Sequence, residues 1–213
     1  MALALLSKDI WSEIENELQK AISISVKNEM FLEMITYHLG WTGDGAGPEA
    51  RGKRIRPLLT ALVAETAGGD WRSTMPAAAS VELIHNFSLI HDDIEDESQE
   101  RRGRPTVWAR WGGAHAINAG DLMFALAFKN LDGLKGAYSD RIVLEAYALI
   151  HEACVALTHG QYLDMSFERI NLATLDDYWR MISGKTAALL AASTQLGALL
   201  AGTNIEMQNQ FRK

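Results

Sequence analysis

The chain has 213 residues, enough for one large domain or at most two small ones, and 48% of them are hydrophobic, which is enough for a substantial core. The formal net charge of −7 argues against a general nucleic-acid-binding protein and leaves any important basic residues in local clusters. A single cysteine, Cys154, excludes an internal disulfide and fits a reducing compartment such as the cytoplasm.

The first predicted element is an amphipathic helix near the start of the chain. Four aliphatic side chains recur there every four residues with polar residues between them: Ile10, Ile14, Leu18 and Ile22. The apolar stretch at 1–6 has no basic residue and runs directly into Lys8 and Asp9, so it does not indicate a signal peptide. The glycine-rich segment at 40–48 predicts a loop.

The rest of the chain predicts helices almost throughout. The second helix begins near 55–57 and ends at the glycines 68–69, and the third begins at a capping residue and Pro76 and runs to residue 96. Later helices are expected at 114–132, 138–167, 174–183 and 186–203. No convincing run of alternating strand residues, repeat or linker interrupts them. The predicted class is a single all-α domain over 1–213, with helices packed around a central cavity.

One uncharged segment, 186–205, approaches the length of a membrane span. It contains several polar side chains and is rich in alanine and glycine, which favours a core helix packed closely by its neighbours. We therefore expect no transmembrane segment.

An acidic cluster and a group of arginines carry the strongest chemical signal. Asp92 and Asp96 are one helical turn apart, with Asp93 between them, and 101–105 reads RRGRP. Three neighbouring carboxylates repel one another unless a hard cation such as Mg²⁺ binds them, and arginines can then hold phosphate oxygens through forked hydrogen bonds. A solvated acidic helix end is the alternative.

Other candidates are weaker when taken alone. His85 lies two turns before Asp92 on the same helical face, where it can donate to a phosphate. The segment 52–57, GKRIRP, holds three cations that can bind an anion, or is an ordinary basic loop. Lys185, followed by Thr186, enters an apolar helix and calls for an anionic partner. Gln161 and Asp164 share one face of the preceding helix.

Together these segments resemble the trans-isoprenyl diphosphate synthase (polyprenyl synthetase) family, over essentially the whole chain from about residue 50. The matching segments are GKRIRP at 52–57, ELIHNFSLIHDDIED at 82–96, RRGRP at 101–105, NAGD at 118–121, GQYLD at 160–164 and GKT at 184–186. The acidic run joined to RRGRP is highly specific, whereas GKT alone is weak.

The resemblance implies a prenyltransferase that joins isopentenyl diphosphate to dimethylallyl, geranyl or farnesyl diphosphate. It implies that Asp92 and Asp96 bind the Mg²⁺ cofactor with support from Asp93, and that Arg101 contacts the allylic diphosphate. It assigns the isopentenyl diphosphate to Lys53, Arg56, His85 and Arg102, and the allylic side near the developing carbocation to Gln161, Lys185 and Thr186. It also implies a homodimer.

The resemblance extends to product length. Ser88 and Phe87, four and five residues before Asp92, should border the cavity for the growing chain, and a single aromatic at the second position resembles geranylgeranyl (C20) diphosphate synthases. Farnesyl and C25 products remain alternatives, and Phe87 is alternatively a plain core aromatic. A class I terpene cyclase is a further alternative, disfavoured by GKRIRP and RRGRP because a cyclase needs no second diphosphate site.

The family carries a second aspartate-rich motif after the GKT helix, and we find no substitute between Asp176 and Lys213. The expectation is therefore a C-terminally incomplete domain without the last helices of the bundle. Three explanations stay open: a shortened form of a synthase, a non-catalytic partner subunit, or a chain completed by a second polypeptide.

Overall fold

Helices make up almost all of the regular structure, as the predicted all-α class requires. The computed structural model of the protein describes residues 2–167 and 173–213, with side chains from residue 6 onward in the first range. The helices are α1 (Ala2–Ser25), α2 (Glu29–His38), α3 (Pro48–Arg51), α4 (Ile55–Thr66), α5 (Met75–Glu95), α6 (Val107–Trp111), α7 (Gly113–Leu131), α8 (Asp140–Phe167), α9 (Leu175–Ile182), α10 (Ala188–Leu200) and α11 (Ile205–Phe211). Short 3₁₀ turns cover Trp71–Thr74 and Asp132–Leu134, and a π-helical turn covers Ser183–Ala187.

The helices expected from the sequence are present, with small shifts at their ends. The four aliphatic side chains that predicted α1 are at most 1% exposed and pack into the core. The loop predicted at 40–48 holds no helix before Pro48. Sequence reasoning missed α2, although Asn28 caps it by accepting a hydrogen bond from the backbone N–H of Phe31 at 3.0 Å.

The short helices α3, α6 and α11 were also not expected, and a short antiparallel hairpin is a further departure from the expected pattern. Its strands are β1 (Glu100–Arg101) and β2 (Arg104–Pro105), joined by Arg102 and Gly103, which both have positive φ angles of 54° and 71°. Two consecutive positive φ values are what a tight two-residue hairpin turn requires. Two-residue strands are too short to give a readable alternation, so the RRGRP break was predicted but its form was not.

Helix α5 lies at the centre of the bundle and packs against α7, α4 and α1. Close approach of α5 to α7 depends on Gly120, where an added Cβ would lie 2.2 Å from Nε2 of His91. A similar contact joins α10 to α4, where a Cβ on Gly197 would lie 2.3 Å from the carbonyl oxygen of Thr60. The uncharged segment therefore contains a core helix, as expected, with nine buried residues in α10.

Among residues 2–167 and 173–213, one helix meets the length and hydropathy expected of a membrane span. It is α8, with a mean hydropathy of 1.3 over its most apolar window, of which 33% is buried inside the fold. Length and composition are weak evidence, because core helices satisfy the same criteria. Buried side chains along α8, including Ile150 and Leu157, belong to the hydrophobic core.

Candidate active site

The C-terminal end of α5 presents its three aspartates in three different environments. Asp93 is 2% exposed, and Nε of Arg101 donates to its two carboxylate oxygens at 2.9 and 3.1 Å, with Nη2 at 2.8 Å from Oδ1. Successive helical residues point about 100° apart, so Asp93 faces away from Asp92. Asp93 therefore fixes Arg101, and its expected support of the metal ion stays a prediction.

Asp92 is half-buried at the mouth of a cavity, and Asp96 is exposed one turn further on as the C-cap of α5. Burial raises the pKa of Asp92 to about 6; Lys185 opposes this rise, and the neighbouring charges of Glu95 and Asp96 add to it. A cation that binds beside such a carboxylate stabilises its ionised form. The carboxylates of Asp92 and Asp96 offer only oxygen ligands, which Mg²⁺ prefers.

Within 2–167 and 173–213, no three acidic, histidine or cysteine side chains converge as a complete metal cage. Mg²⁺ usually keeps several waters and uses one or two carboxylates together with substrate phosphates. The pair formed by Asp92 and Asp96 therefore fits a metal shared with a diphosphate rather than a structural ion.

The cavity below Asp92 lies between α5 and α8 and has a volume of about 330 Å³. We call it the interhelical cavity, and its lining is Phe87, Ser88, His91, Asp92, Glu95, Leu157, Thr158, Gln161, Tyr162 and Met165. Its acids lie at one end, and its walls are largely apolar or aromatic. This arrangement suits a molecule with a charged head and a hydrocarbon tail.

The predicted residues of α8 and the π-helical turn meet near this mouth. Nε2 of Gln161 donates to Glu95 at 2.6 Å, which leaves Oε1 of Gln161 buried without a partner. Lys185 donates to Asp164 at 2.5 Å. Partial burial lowers the pKa of Lys185, but its hydrogen bond to the carboxylate of Asp164 and the charge of Asp92 together raise the pKa above its usual value. Lys185 therefore stays cationic beside the acids.

Thr186 does not reach this position directly. It is half-buried in the π-helical turn and lies outside the lining of the interhelical cavity as the described residues define it. Its neighbour Lys185 affects Asp92 through charge rather than as part of that lining.

A second cavity of about 560 Å³ is lined from α5 by Glu82 and His85. We call it the basic cavity, and its lining is Pro48, Glu49, Gly52, Lys53, Arg54, Ile55, Arg56, Glu82, His85 and Arg102. It brings together all four residues expected to hold isopentenyl diphosphate: Lys53, Arg56, His85 and Arg102. Cations at several points of one concave wall are what a diphosphate needs.

The hairpin turn delivers Arg102 to this wall. Nη1 of Arg102 donates to the carbonyl oxygen of Ala50 at 2.7 Å. A Cβ on Gly52 would lie 2.7 to 2.8 Å from the guanidinium, and Gly52 has a positive φ of 76°, so a larger residue would be strained and would displace Arg102. The glycine of GKRIRP is thus explained by packing against RRGRP.

His85 is neutral in this cavity. Burial lowers its pKa to about 3, and the charges of Arg56 and Arg102 contribute. Nη1 of Arg56 lies 3.2 Å from Nε2 of His85. Because arginine can only donate, Nε2 accepts and the ring proton sits on Nδ1. His85 therefore offers one neutral N–H donor rather than a positive charge.

This lowered pKa predicts how stability depends on pH. Unfolded His85 takes up a proton near pH 6.5 but folded His85 does not, so the folded state loses stability as pH falls from 6.5 toward 3. Between pH 7 and 5 the histidine should cost about 2 kcal/mol. We expect His85→Gln to reduce the pH-dependent loss by about that amount in urea titrations at both pH values.

A matched control is His159→Gln on α8, where the side chain is exposed and meets water in both states. That substitution should leave the difference between pH 7 and pH 5 unchanged. Equal behaviour of the two variants would show that His85 is solvated in the folded protein.

Two arginines expected to hold anions have structural roles instead. Arg54, in GKRIRP, is buried between Glu15 and Glu82, with its side chain 0% exposed. Arg104, in RRGRP, donates to the backbone carbonyl oxygens of Tyr37, Thr42 and Asp44, and lies over the ring of Tyr37 at 4.0 Å. Both donate to groups inside the protein, so anion binding by these two segments stays a prediction for Lys53, Arg56, Arg101 and Arg102.

Sequence reasoning also missed two partners in the sites. Glu95, which the sequence analysis does not single out, accepts a hydrogen bond from Nε2 of Gln161. His38 on α2 lies beside Arg101 and Asp93, with Nε2 buried and unpartnered, and burial lowers its pKa to about 3. Glu95 lies three residues after Asp92, and this spacing indicates that both face the same side of α5. Nothing in the sequence relates α2 to α5.

Comparisons with known proteins point to one family. The sequence profile of the family described as polyprenyl synthetase matches residues 47–213. A protein of Mycobacterium tuberculosis named (2E,6E)-farnesyl diphosphate synthase is 47% identical over 171 residues, which is 79% of this chain and 46% of that protein. A geranylgeranyl diphosphate synthase of Methanosarcina mazei is 43% identical, over 75% of this chain and 48% of its own length.

Among solved structures, a geranylgeranyl pyrophosphate synthetase from Pyrococcus horikoshii aligns with a TM-score of 0.86 at 32% identity. That alignment covers 100% of this chain and 62% of the other. The chain thus spans about half the length of the sequence relatives that it matches. The profile match, the identity and the shared fold show that this chain belongs to the polyprenyl synthetase family.

Proposed function

We propose that this chain is a trans-prenyltransferase domain that joins isopentenyl diphosphate to an allylic diphosphate, with geranylgeranyl diphosphate as its main product. One observation carries the proposal: α5 lines both a cation-lined cavity, through His85, and a carboxylate-headed cavity, through Asp92. The basic cavity suits a diphosphate bound by side chains alone, whereas the interhelical cavity suits a diphosphate bound through a divalent cation. A reaction between two diphosphates needs both.

The roles follow from this placement. Lys53, Arg56, Arg102 and neutral His85 hold the diphosphate of isopentenyl diphosphate. Asp92 and Asp96 hold the metal ion, and the family is generally dependent on Mg²⁺. Bound Mg²⁺ supplies Lewis-acid stabilisation of the departing diphosphate. Arg101, oriented by Asp93, and Lys185, oriented by Asp164, supply further positive charge near that group.

The walls of the interhelical cavity then favour the reaction of an allylic cation. Phe87 and Leu157 exclude water from the hydrocarbon, and the carboxamide of Gln161 presents an unpartnered oxygen dipole at the acidic end. The double bond of isopentenyl diphosphate forms the new C–C bond as the allylic C–O bond breaks. A proton leaves the adjacent carbon for the departed diphosphate, so no side-chain nucleophile is needed. Thr186, next to Lys185, remains a predicted allylic-side residue.

Product length depends on the floor of the interhelical cavity. The ring of Phe87 meets Phe124 edge-to-face at 5.0 Å and His91 at 5.3 Å between centroids, while Ser88 is buried with its hydroxyl on the carbonyl oxygen of His85. Phe87 thus packs against other aromatics and lines the cavity at once. We infer that this ring stops the growing tail at C20, with farnesyl and C25 products as alternatives.

Phe87→Ala should lengthen the products, because removal of the ring opens the cavity toward Phe124. The measurement is the chain-length distribution of labelled products, which we expect to shift beyond C20 by at least one isoprene unit. Phe31→Ala on α2, another half-buried aromatic packed against the core, is the control and should leave the distribution unchanged. An unaltered distribution in Phe87→Ala would contradict the assignment.

The catalytic proposal is tested with labelled isopentenyl diphosphate, farnesyl diphosphate and Mg²⁺, on protein whose intact mass matches the 213-residue chain. Labelled C20 diphosphate would support a synthase. Hydrocarbon products would instead indicate a terpene cyclase. Binding of both substrates without turnover would indicate a non-catalytic partner subunit. We further propose a homodimer located in the cytoplasm, which sedimentation analysis and cell fractionation can check.

A further inference from the structure

Arg54 lies in the middle of the basic segment and lines the basic cavity, yet its guanidinium donates to groups of the protein itself. Its Nε donates to Oε1 of Glu15 at 2.7 Å, its Nη1 to Oε1 of Glu82 at 2.8 Å, and its Nη2 to the carbonyl oxygen of Leu39 at 3.3 Å. We call the set Glu15, Arg54 and Glu82 the buried clamp. All three side chains are at most 7% exposed.

A second layer of donors holds the two carboxylates. Nε1 of Trp41 donates to Oε2 of Glu15 at 2.6 Å, and Nδ2 of Asn86 donates to Oε1 of Glu82 at 2.9 Å. The clamp therefore joins α1, the loop after α2, the start of α4 and the middle of α5. Buried charges that share several hydrogen bonds favour one arrangement of the elements that carry them.

The position of Arg54 in the backbone shows what is being fixed. Arg54 is the N-cap of α4 and adopts a left-handed conformation with φ 49° and ψ 38°. Left-handed backbone is unfavourable for a residue with a Cβ and persists where surrounding contacts enforce it. This one residue sets the direction in which Lys53 leaves the loop and Arg56 leaves the first turn of α4.

Charge gives the clamp a second role. Two carboxylates and one guanidinium leave a net charge of −1 against the cations of the basic cavity, and Glu82 itself lines that cavity. Without a bound anion, Lys53, Arg56 and Arg102 repel one another. The excess negative charge of the clamp offsets that repulsion and keeps the cations close before a diphosphate enters.

We propose that Arg54, held by Glu15 and Glu82, is a positioning residue that preorganises Lys53 and Arg56 against His85 for the diphosphate of isopentenyl diphosphate. This inference rests on the proposed function of the basic cavity. The donors of Arg54 are directed at Glu15 and Glu82, so it acts on the substrate through Lys53 and Arg56. Preorganised cations bind an anion more tightly because less ordering remains at the moment of binding.

The test uses the intact chain with Glu15→Gln and Arg54→Lys, which preserve side-chain size while removing one charge or the guanidinium fork. The matched control is Glu13→Gln, because Glu13 is an exposed acid on α1, two residues before Glu15. Calorimetry measures isopentenyl diphosphate binding in EDTA, and separately farnesyl thiolodiphosphate binding with Mg²⁺. Trp41→Phe removes only the outer donor to Glu15. This variant replaces the clamp variants in the binding test if either of them fails to fold.

We expect both clamp variants to lose about tenfold or more in affinity for isopentenyl diphosphate, since each breaks hydrogen bonds between buried charged groups. The Mg²⁺-dependent ligand should bind as it does to the unaltered chain. Trp41→Phe should show a smaller selective loss in the same direction, and Glu13→Gln none.

Equal losses at both sites would reveal a general structural role and overturn the inference, as would unchanged binding of isopentenyl diphosphate in the clamp variants. Failure of the unaltered chain to bind isopentenyl diphosphate would overturn the proposed function and the inference together. The two failures are therefore distinguishable.

Discussion

Asp92→Asn is expected to abolish Mg²⁺-dependent binding of an allylic diphosphate, with a loss of at least about 100-fold in affinity. Asp92 is the half-buried acid at the mouth of the interhelical cavity, and its pKa is raised to about 6. An asparagine of the same shape cannot supply the negative charge that holds the cation. The measurement is calorimetric titration with farnesyl thiolodiphosphate in the presence and absence of Mg²⁺.

The same substitution should stabilise the protein in the absence of ligand. Ionised Asp92 is disfavoured in the folded state because its folded pKa lies above the ordinary value of 3.8, so at pH 7 it lowers the free energy of unfolding. Its removal should raise that free energy by about 1 kcal/mol after solvent screening is allowed for. A gain in stability together with a loss of binding is the signature expected of a binding residue.

Asp93→Asn should instead lower the free energy of unfolding. It leaves Arg101 without the carboxylate that now receives its forked hydrogen bonds, and a single partner removed from a largely buried pair is destabilising. Asp9→Asn on the exposed face of α1 is a neutral control for both. Loss of stability in Asp92→Asn, with binding retained, would contradict the assignment of Asp92 to the metal.

The contrast between Asp92 and Asp93 shows how much of the site could be predicted from the sequence. Helical periodicity predicted α1, α5 and α10, and the spacing of Asp92 and Asp96 placed both on one side of α5. The same periodicity turns Asp93 away from them. Local sequence rules were sufficient here because each of these residues lies on a regular helix.

The two arginines with structural roles show where such rules stop. Lys53, Arg54 and Arg56 look alike in sequence, but the left-handed backbone at Arg54 sends its side chain into the protein. That conformation depends on Glu15 and Glu82, which are 39 and 28 residues away along the chain. A residue whose orientation is decided by such distant partners cannot be assigned from its neighbours.

Gly160→Ala is expected to damage both stability and the allylic side of the site. A Cβ at this position would lie 2.0 Å from the backbone nitrogen of Lys185 and 2.6 Å from the carbonyl carbon of Gly184. Both atoms belong to the backbone, so a change of side-chain rotamer cannot relieve the clash. Helix α8 and the π-helical turn would have to separate, which should cost about 1–3 kcal/mol or more in the free energy of unfolding.

The separation matters for function because the π-helical turn carries Lys185. Single π-helical turns often occur where a side chain must be aimed at a site. Here the turn brings Lys185 to Asp164 and within the electrostatic influence of Asp92. A displacement of about 1 Å in such a group can reduce a rate about 100-fold, so we also expect weaker Mg²⁺-dependent binding of the allylic ligand.

Gly113→Ala provides the matched comparison, since it is the first residue of α7 and an added Cβ there meets open space. That substitution should be neutral or raise the free energy of unfolding by about 0.5 kcal/mol, because alanine restricts the unfolded chain. Urea titrations of both variants, with calorimetry on the folded protein, separate the two effects. A Gly160→Ala protein as stable as Gly113→Ala would mean that α8 does not approach the π-helical turn this closely, and Lys185 would then lose its place beside the acids.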